Sequence, residues 1–112
     1  MRAFRELTSI VETDTFLKDH RLAFIYISRT NCGVCQALLP QVARLMQDYP
    51  EIMLGAINAD DVEEVAGRFS VFTIPVLLLF FEEREYVREA RIVHMDLFKE
   101  KIDKIYKNVV EA

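Results

Sequence analysis

Residues 28–40, SRTNCGVCQALLP, hold both cysteines of this 112-residue chain, Cys32 and Cys35. They stand between two segments of different period. Ahead of them, LAFIYIS (22–28) is a continuous apolar run with aromatic and β-branched residues, the pattern of a strand buried on both faces. Behind them, Cys35, Leu38, Leu39, Val42, Leu45 and Met46 recur at helical spacing, between Gly33 and about Asp48. The pair therefore falls where a buried strand gives way to a helix, with Cys35 in the first helical turn. Positions i and i+3 of a helix lie about 5–6 Å apart between Cβ atoms, so a small adjustment lets the sulfurs bond. Unpaired N–H groups and the positive end of the macrodipole at a helix N-terminus stabilise a thiolate, which makes Cys32 the better nucleophile. Pro40 interrupts the helical pattern and predicts a kink.

Outward from this segment the elements alternate. Residues 4–7 suit a short edge strand. Ser9 followed three residues later by Glu12 forms a capping box, predicting a helix from about Ile10 to His20. IMLGAIN (52–58) is a second strand, and DDVEEVAGRF (60–69) a short helix stopped near Gly67. VLLLFF (76–81) and EYVREARIV (85–93) are strands joined by the charged turn EERE. The last helix carries Phe98, Ile102, Ile105 and Val109 on one stripe, with Asp96 as its N-cap. Strand–helix–strand, then a hairpin, then a helix predicts a mixed α/β sheet with helices on both faces, in one domain over residues 1–112.

Composition narrows the function. Hydrophobic residues make up 52% of the chain and charged residues 29%, the balance of a folded domain. Lys and Arg (14) are scattered among Asp and Glu (18), with no basic stripe, so no nucleic-acid partner is expected. The longest apolar run, IPVLLLFF (74–81), is far short of the roughly 20 residues that span a bilayer, so no membrane partner is expected. MRAFRELTSIVETD places acidic residues where a signal peptide needs its apolar region, and a cytoplasmic location follows as the expectation. Nothing suggests an obligate oligomer, and a monomer is expected. In the cytosol a close cysteine pair is more often catalytic, redox-sensing or metal-binding than a permanent bridge.

A structural zinc site normally takes four Cys or His ligands. This chain has two Cys plus His20 and His94, without ligand-pair spacing, so no metal is expected. An iron–sulfur cluster shared between two subunits, and inert buried thiols, remain as alternatives. The strand–C-x-x-C–helix context favours a redox pair.

The chain resembles the thioredoxin family over nearly its whole length. The resemblance rests on CGVC after a strand, on Pro40 five residues past Cys35, and on FTIPVLLLF (72–80) with Pro75 opening the next-to-last strand. It implies a thioredoxin fold, with a central mixed sheet of four to five strands flanked by helices on both faces. It also implies a thiol–disulfide oxidoreductase acting on disulfides of protein substrates, in which Cys32 attacks and Cys35 resolves. No cofactor beyond the Cys32–Cys35 disulfide is needed. Either a thioredoxin reductase or a low-molecular-weight thiol would be the electron donor. By the same resemblance Ile74–Pro75 is a cis peptide beside the sulfurs, and Ile74, Pro75, Gly33 and Val34 contact the substrate chain.

Several positions depart from the family. Gly33-Val34 stands for the usual Gly-Pro, and Asn31 for the tryptophan before the first cysteine. Tyr26 replaces the buried aspartate that moves the resolving cysteine's proton, Ala56 its lysine partner, and Arg91 lies near a groove glycine. Three auxiliary candidates follow. Tyr26 can hydrogen-bond, though a phenol of reference pKa about 10 is a poor base at neutral pH. His94 belongs to a residue type that titrates near neutrality and could move a proton or touch substrate. Arg29, three residues before Cys32, could add positive potential around the thiolate. The same departures support a second reading, a binding or adaptor module or a redox sensor with little turnover.

Overall fold

The computed structural model describes residues 2–111. The chain runs β1 (Arg5–Glu6), α1 (Ile10–Asp19), β2 (Leu22–Ser28), α2 (Gly33–Met46), β3 (Met53–Asn58), α3 (Val65–Arg68), β4 (Val76–Phe81), β5 (Arg84–Ala90) and α4 (Met95–Val109). The five strands form one sheet in the order β1-β3-β2-β4-β5. β1, β3 and β2 are parallel, whereas β4 is antiparallel to β2 and β5 to β4.

The apolar runs of β2 and β4 are continuous because both faces of the sheet are covered. Alternate residues enter different cores. Leu22, Phe24, Tyr26, Leu77 and Leu79 pack with α2 and α4, through Val42, Met46, Phe98 and Ile102. Ala23, Ile25, Ile27, Val76, Leu78 and Phe80 pack on the other face with Phe16 and Leu17 of α1 and Val65 of α3. Gly55 sits on that second face, where a Cβ would stand 2.8 Å from Leu7 Cδ1 and 3.0 Å from Phe16 Cε2. Only a residue without a side chain leaves room there.

Local chemistry accounts for most boundaries. Ser9 caps α1 by accepting the Glu12 N–H at 3.0 Å. The carboxylate of Glu12 takes the Thr8 hydroxyl at 3.0 Å rather than turning back on the cap, so the predicted box is half formed. α2 continues through Pro40, which has no N–H for the Gln36 carbonyl, and that exposed turn faces water. At the end of α2 the Arg2 guanidinium donates to the carbonyls of Met46 at 3.0 Å and Tyr49 at 2.9 Å, and also to that of Ile52. The β4–β5 hairpin pairs Phe81 with Arg84, so the turn is two residues, Glu82 and Glu83, both at positive φ (49° and 68°). That is the left-handed geometry favoured by two-residue hairpins.

Three expectations are corrected. α3 ends at Arg68, beside Gly67 as expected, but begins only at Val65 instead of near Asp60, and the left-handed residue beyond it is Ser70 (φ 53°). β5 ends at Ala90, not at Val93, because Arg91 turns to φ 68°. Asp96 is not the cap of α4 but lies in its first turn, where its charge meets the positive helix end; His94 occupies the cap position without a side-chain bond.

Candidate active site

Cys32 follows a tight connection out of β2. Thr30 donates its N–H to Asp60 Oδ2 at 3.0 Å, and Asn58 Nδ2 donates to Thr30 Oγ1 at 3.2 Å, which ties the loop to the end of β3. Asn31 then takes φ 59°. Asn is among the few residues other than Gly that tolerate this conformation, a physical reason for a small amide side chain just before Cys32.

Cys32 is itself the N-cap of α2. Its Sγ accepts the Cys35 N–H at 3.2 Å, and its carbonyl accepts the Gln36 N–H at 3.1 Å. The sulfur occupies the place of a capping oxygen, where a helix presents unpaired N–H groups to negative charge. Cys32 and Cys35 are joined as a disulfide, with Cα atoms 5.3 Å apart. Cys32 keeps 7% of its surface exposed and Cys35 3%, so an approaching group reaches Cys32 more readily.

The Ile74–Pro75 peptide is cis, and Pro75 is buried at the start of β4. Arg91 donates its backbone N–H to the Pro75 carbonyl at 3.0 Å. The position that resembles a family glycine thus keeps a glycine-like backbone, φ 68°, while carrying an exposed arginine. Gly33 and Val34 are exposed in the first turn of α2, and Ile74 is half-buried.

Beside the disulfide lies a cavity of about 340 Å³, lined among others by Cys35, Tyr26, Arg29, Gln36, Ala56 and Glu6. The Tyr26 hydroxyl donates to the Cys35 carbonyl at 2.6 Å, and burial pushes the phenol's pKa up to about 12. Tyr26 is therefore a hydrogen-bond donor to the helix and not a base. Arg29 is exposed and lines this cavity with Cys35. His94 is exposed at the start of α4 and does not line the cavity. Glu6 was not anticipated from the sequence: nothing local marks it, and only the pairing of β1 beside β3 brings it here. Among the described residues no group of three or more His, Cys, Asp or Glu could hold a metal ion, and no helix is long and apolar enough to cross a membrane.

A mixed sheet between two pairs of helices, with a disulfide between Cys32 and Cys35 at the N-terminus of α2, defines a dithiol–disulfide exchange protein. The model of the family described as Thioredoxin matches residues 8–108. The thioredoxin-like protein YdfQ of Bacillus subtilis strain 168 is 51% identical over 107 residues, covering 96% of each chain. Among solved structures, mitochondrial thioredoxin 3 from Saccharomyces cerevisiae in its oxidised form superposes with a TM-score of 0.80 at 22% identity, covering 89% of this chain and 94% of that one. Oxidised thioredoxin O2 from Arabidopsis thaliana gives 0.81 at 22% identity, covering 93% and 95%. The chain belongs to the thioredoxin family, and is a thioredoxin-like thiol–disulfide oxidoreductase.

Proposed function

We propose that this protein reduces or exchanges disulfides in protein substrates in the cytoplasm, acting as a monomer, with Cys32 as nucleophile and Cys35 as resolving thiol. The observation that carries this reading is the Cys35 N–H directed at Cys32 Sγ over 3.2 Å at the helix N-terminus, which favours a thiolate at Cys32 and not at Cys35. Cys32 attacks one sulfur of the substrate disulfide and releases the other as a thiolate. Cys35 then attacks Cys32 Sγ, closing the disulfide and releasing the second substrate thiol. The half-buried Ile74 before Pro75, together with the exposed Gly33 and Val34, offers the partner chain an extended docking edge. Electrons reside in the dithiol, so no bound cofactor takes part; a thioredoxin reductase or a small thiol restores the reduced form.

The test is disulfide reduction by single variants. Cys32→Ser is expected to abolish turnover, and Cys35→Ser to accumulate mixed disulfides with substrate, seen by mass. Full turnover in Cys32→Ser would overturn the assignment. Retained partner binding by the double variant, with no turnover in the native protein, would point instead to an adaptor.

A further inference from the structure

Resolution requires that Cys35 lose its proton while buried at 3% exposure, and the wall of the adjoining cavity shows where that proton can go. Glu6 of β1 pairs in register with Ala56 of β3, Ala56 with Tyr26 of β2, and Tyr26 with Leu77 of β4. Register partners in a sheet direct their side chains to the same face. Tyr26 and Leu77 belong to the core beneath α2 that contains both cysteines, so the Glu6 side chain leaves the sheet on that face, at its edge. Glu6 and Cys35 line the same cavity, and Glu6 supplies the only carboxylate there among the described residues. The other titratable or charged groups around it are Tyr26 and Arg29, with Asp60 fastened to the backbone of the cavity's Thr30.

We infer that Glu6 is the proton acceptor for Cys35, reached through water in this cavity. About 340 Å³ holds several waters at roughly 30 Å³ each, and the cavity wall offers them polar partners in Asn58, Thr30 and Gln36. In the mixed disulfide, the Cys35 thiol passes its proton through water to the Glu6 carboxylate. The Cys35 thiolate attacks Cys32 Sγ; the Cys32–substrate S–S bond breaks as the Cys32–Cys35 bond forms, and the substrate sulfur leaves with the electron pair. Protonated Glu6, exposed at its outer side, then returns the proton to solvent or to the departing thiolate. Tyr26 takes no part in the transfer, since its own proton is committed to the Cys35 carbonyl.

The inference rests on Cys35 being the resolving thiol, and the experiment separates the two. Reduced protein is mixed in a stopped-flow instrument with a bis-nitrobenzoate aryl disulfide. The first release of aryl thiolate reports attack by Cys32, and the second reports resolution by Cys35. Glu6→Gln is expected to leave the first phase unchanged and slow the second about tenfold near neutral pH, at the low end for general base catalysis reached through water. The deficit should shrink as pH rises and hydroxide takes over, and Glu6→Asp should recover part of the rate. A second phase in Glu6→Gln with native rate and pH profile, or an equal slowing of both phases, would overturn the role of Glu6. Absence of any second phase in the native protein would instead overturn the resolving role of Cys35.

Discussion

The Tyr26 hydroxyl donates to the Cys35 carbonyl oxygen across 2.6 Å, binding the middle of β2 to the first turn of α2. The bond joins the strand that delivers the disulfide to the helix that Cys32 caps. At the centre of the core the phenol holds backbone and, with its pKa pushed up to about 12, moves no proton at neutral pH.

Tyr26→Phe keeps the ring among Phe4, Leu77 and the cysteines but removes this bond. A buried hydrogen bond contributes about 1 kcal/mol net, so the variant should lose about that much stability in urea unfolding of the oxidised form. The rate of the Cys35 step should stay within about twofold, because the phenol, pushed up to about 12, is no base at neutral pH. A tenfold loss of that rate with native stability would show that the hydroxyl does take part in the chemistry.

Gly55→Ala should destabilise the protein by about 1–3 kcal/mol, since the new methyl meets Leu7 Cδ1 at 2.8 Å and Phe16 Cε2 at 3.0 Å in a packed core. Both contacts are side-chain atoms, so the lower part of the range applies if Leu7 shifts rotamer. Urea midpoints of the two proteins decide it; an unchanged midpoint would mean that β1 and α1 give way freely.

The Tyr49 hydroxyl donates to Asp103 Oδ1, while Lys99 Nζ holds Oδ2 at 3.0 Å. The bond from Tyr49, with that from Lys99, keeps the Asp103 carboxyl below the usual carboxylate range. Burial, and then the bond to Asp103, raise the Tyr49 phenol above its ordinary value. A depressed carboxyl contributes stability that is present above its unfolded pKa of about 3.9 and lost as pH falls through the folded value. A raised phenol contributes stability that is present below about pH 10 and lost as pH rises from there toward its folded value. Tyr49→Phe should therefore flatten the alkaline limb of the stability profile and make the acid limb shallower, with Lys99 still holding the carboxylate. Denaturation midpoints between pH 3 and 11 check this, and an unaltered profile would contradict it.

β2 and β4 were legible to the residue, because a strand covered on both faces must be apolar at every position and its ends show as polar breaks. The site's centre was legible for a similar reason: both cysteines lie within one local strand-to-helix junction, and capping by Cys32 needs only its own helix. Gly67 marked the end of α3 to within one residue, because glycine commonly ends helices. The apolar Ile92–Val93 suggested more strand, but after its backbone bond to Pro75 the chain turns at Arg91, φ 68°, and leaves the ladder there. Arg29, which the sequence places three residues before Cys32, lines a cavity together with Cys35.

What the sequence by itself determined were the elements whose signal is local: the buried strands, the Ser9-capped first helix, the cysteine pair and the proline that follows it at a family distance. What only the tertiary structure decided was which polar groups face Cys35. Strand pairing between β1, β3 and β2 joins residues 6, 56 and 26 in one row, and no periodicity within any single segment records that row. A side chain on a two-residue edge strand carries no local mark of its neighbours; it acquires them when the sheet closes.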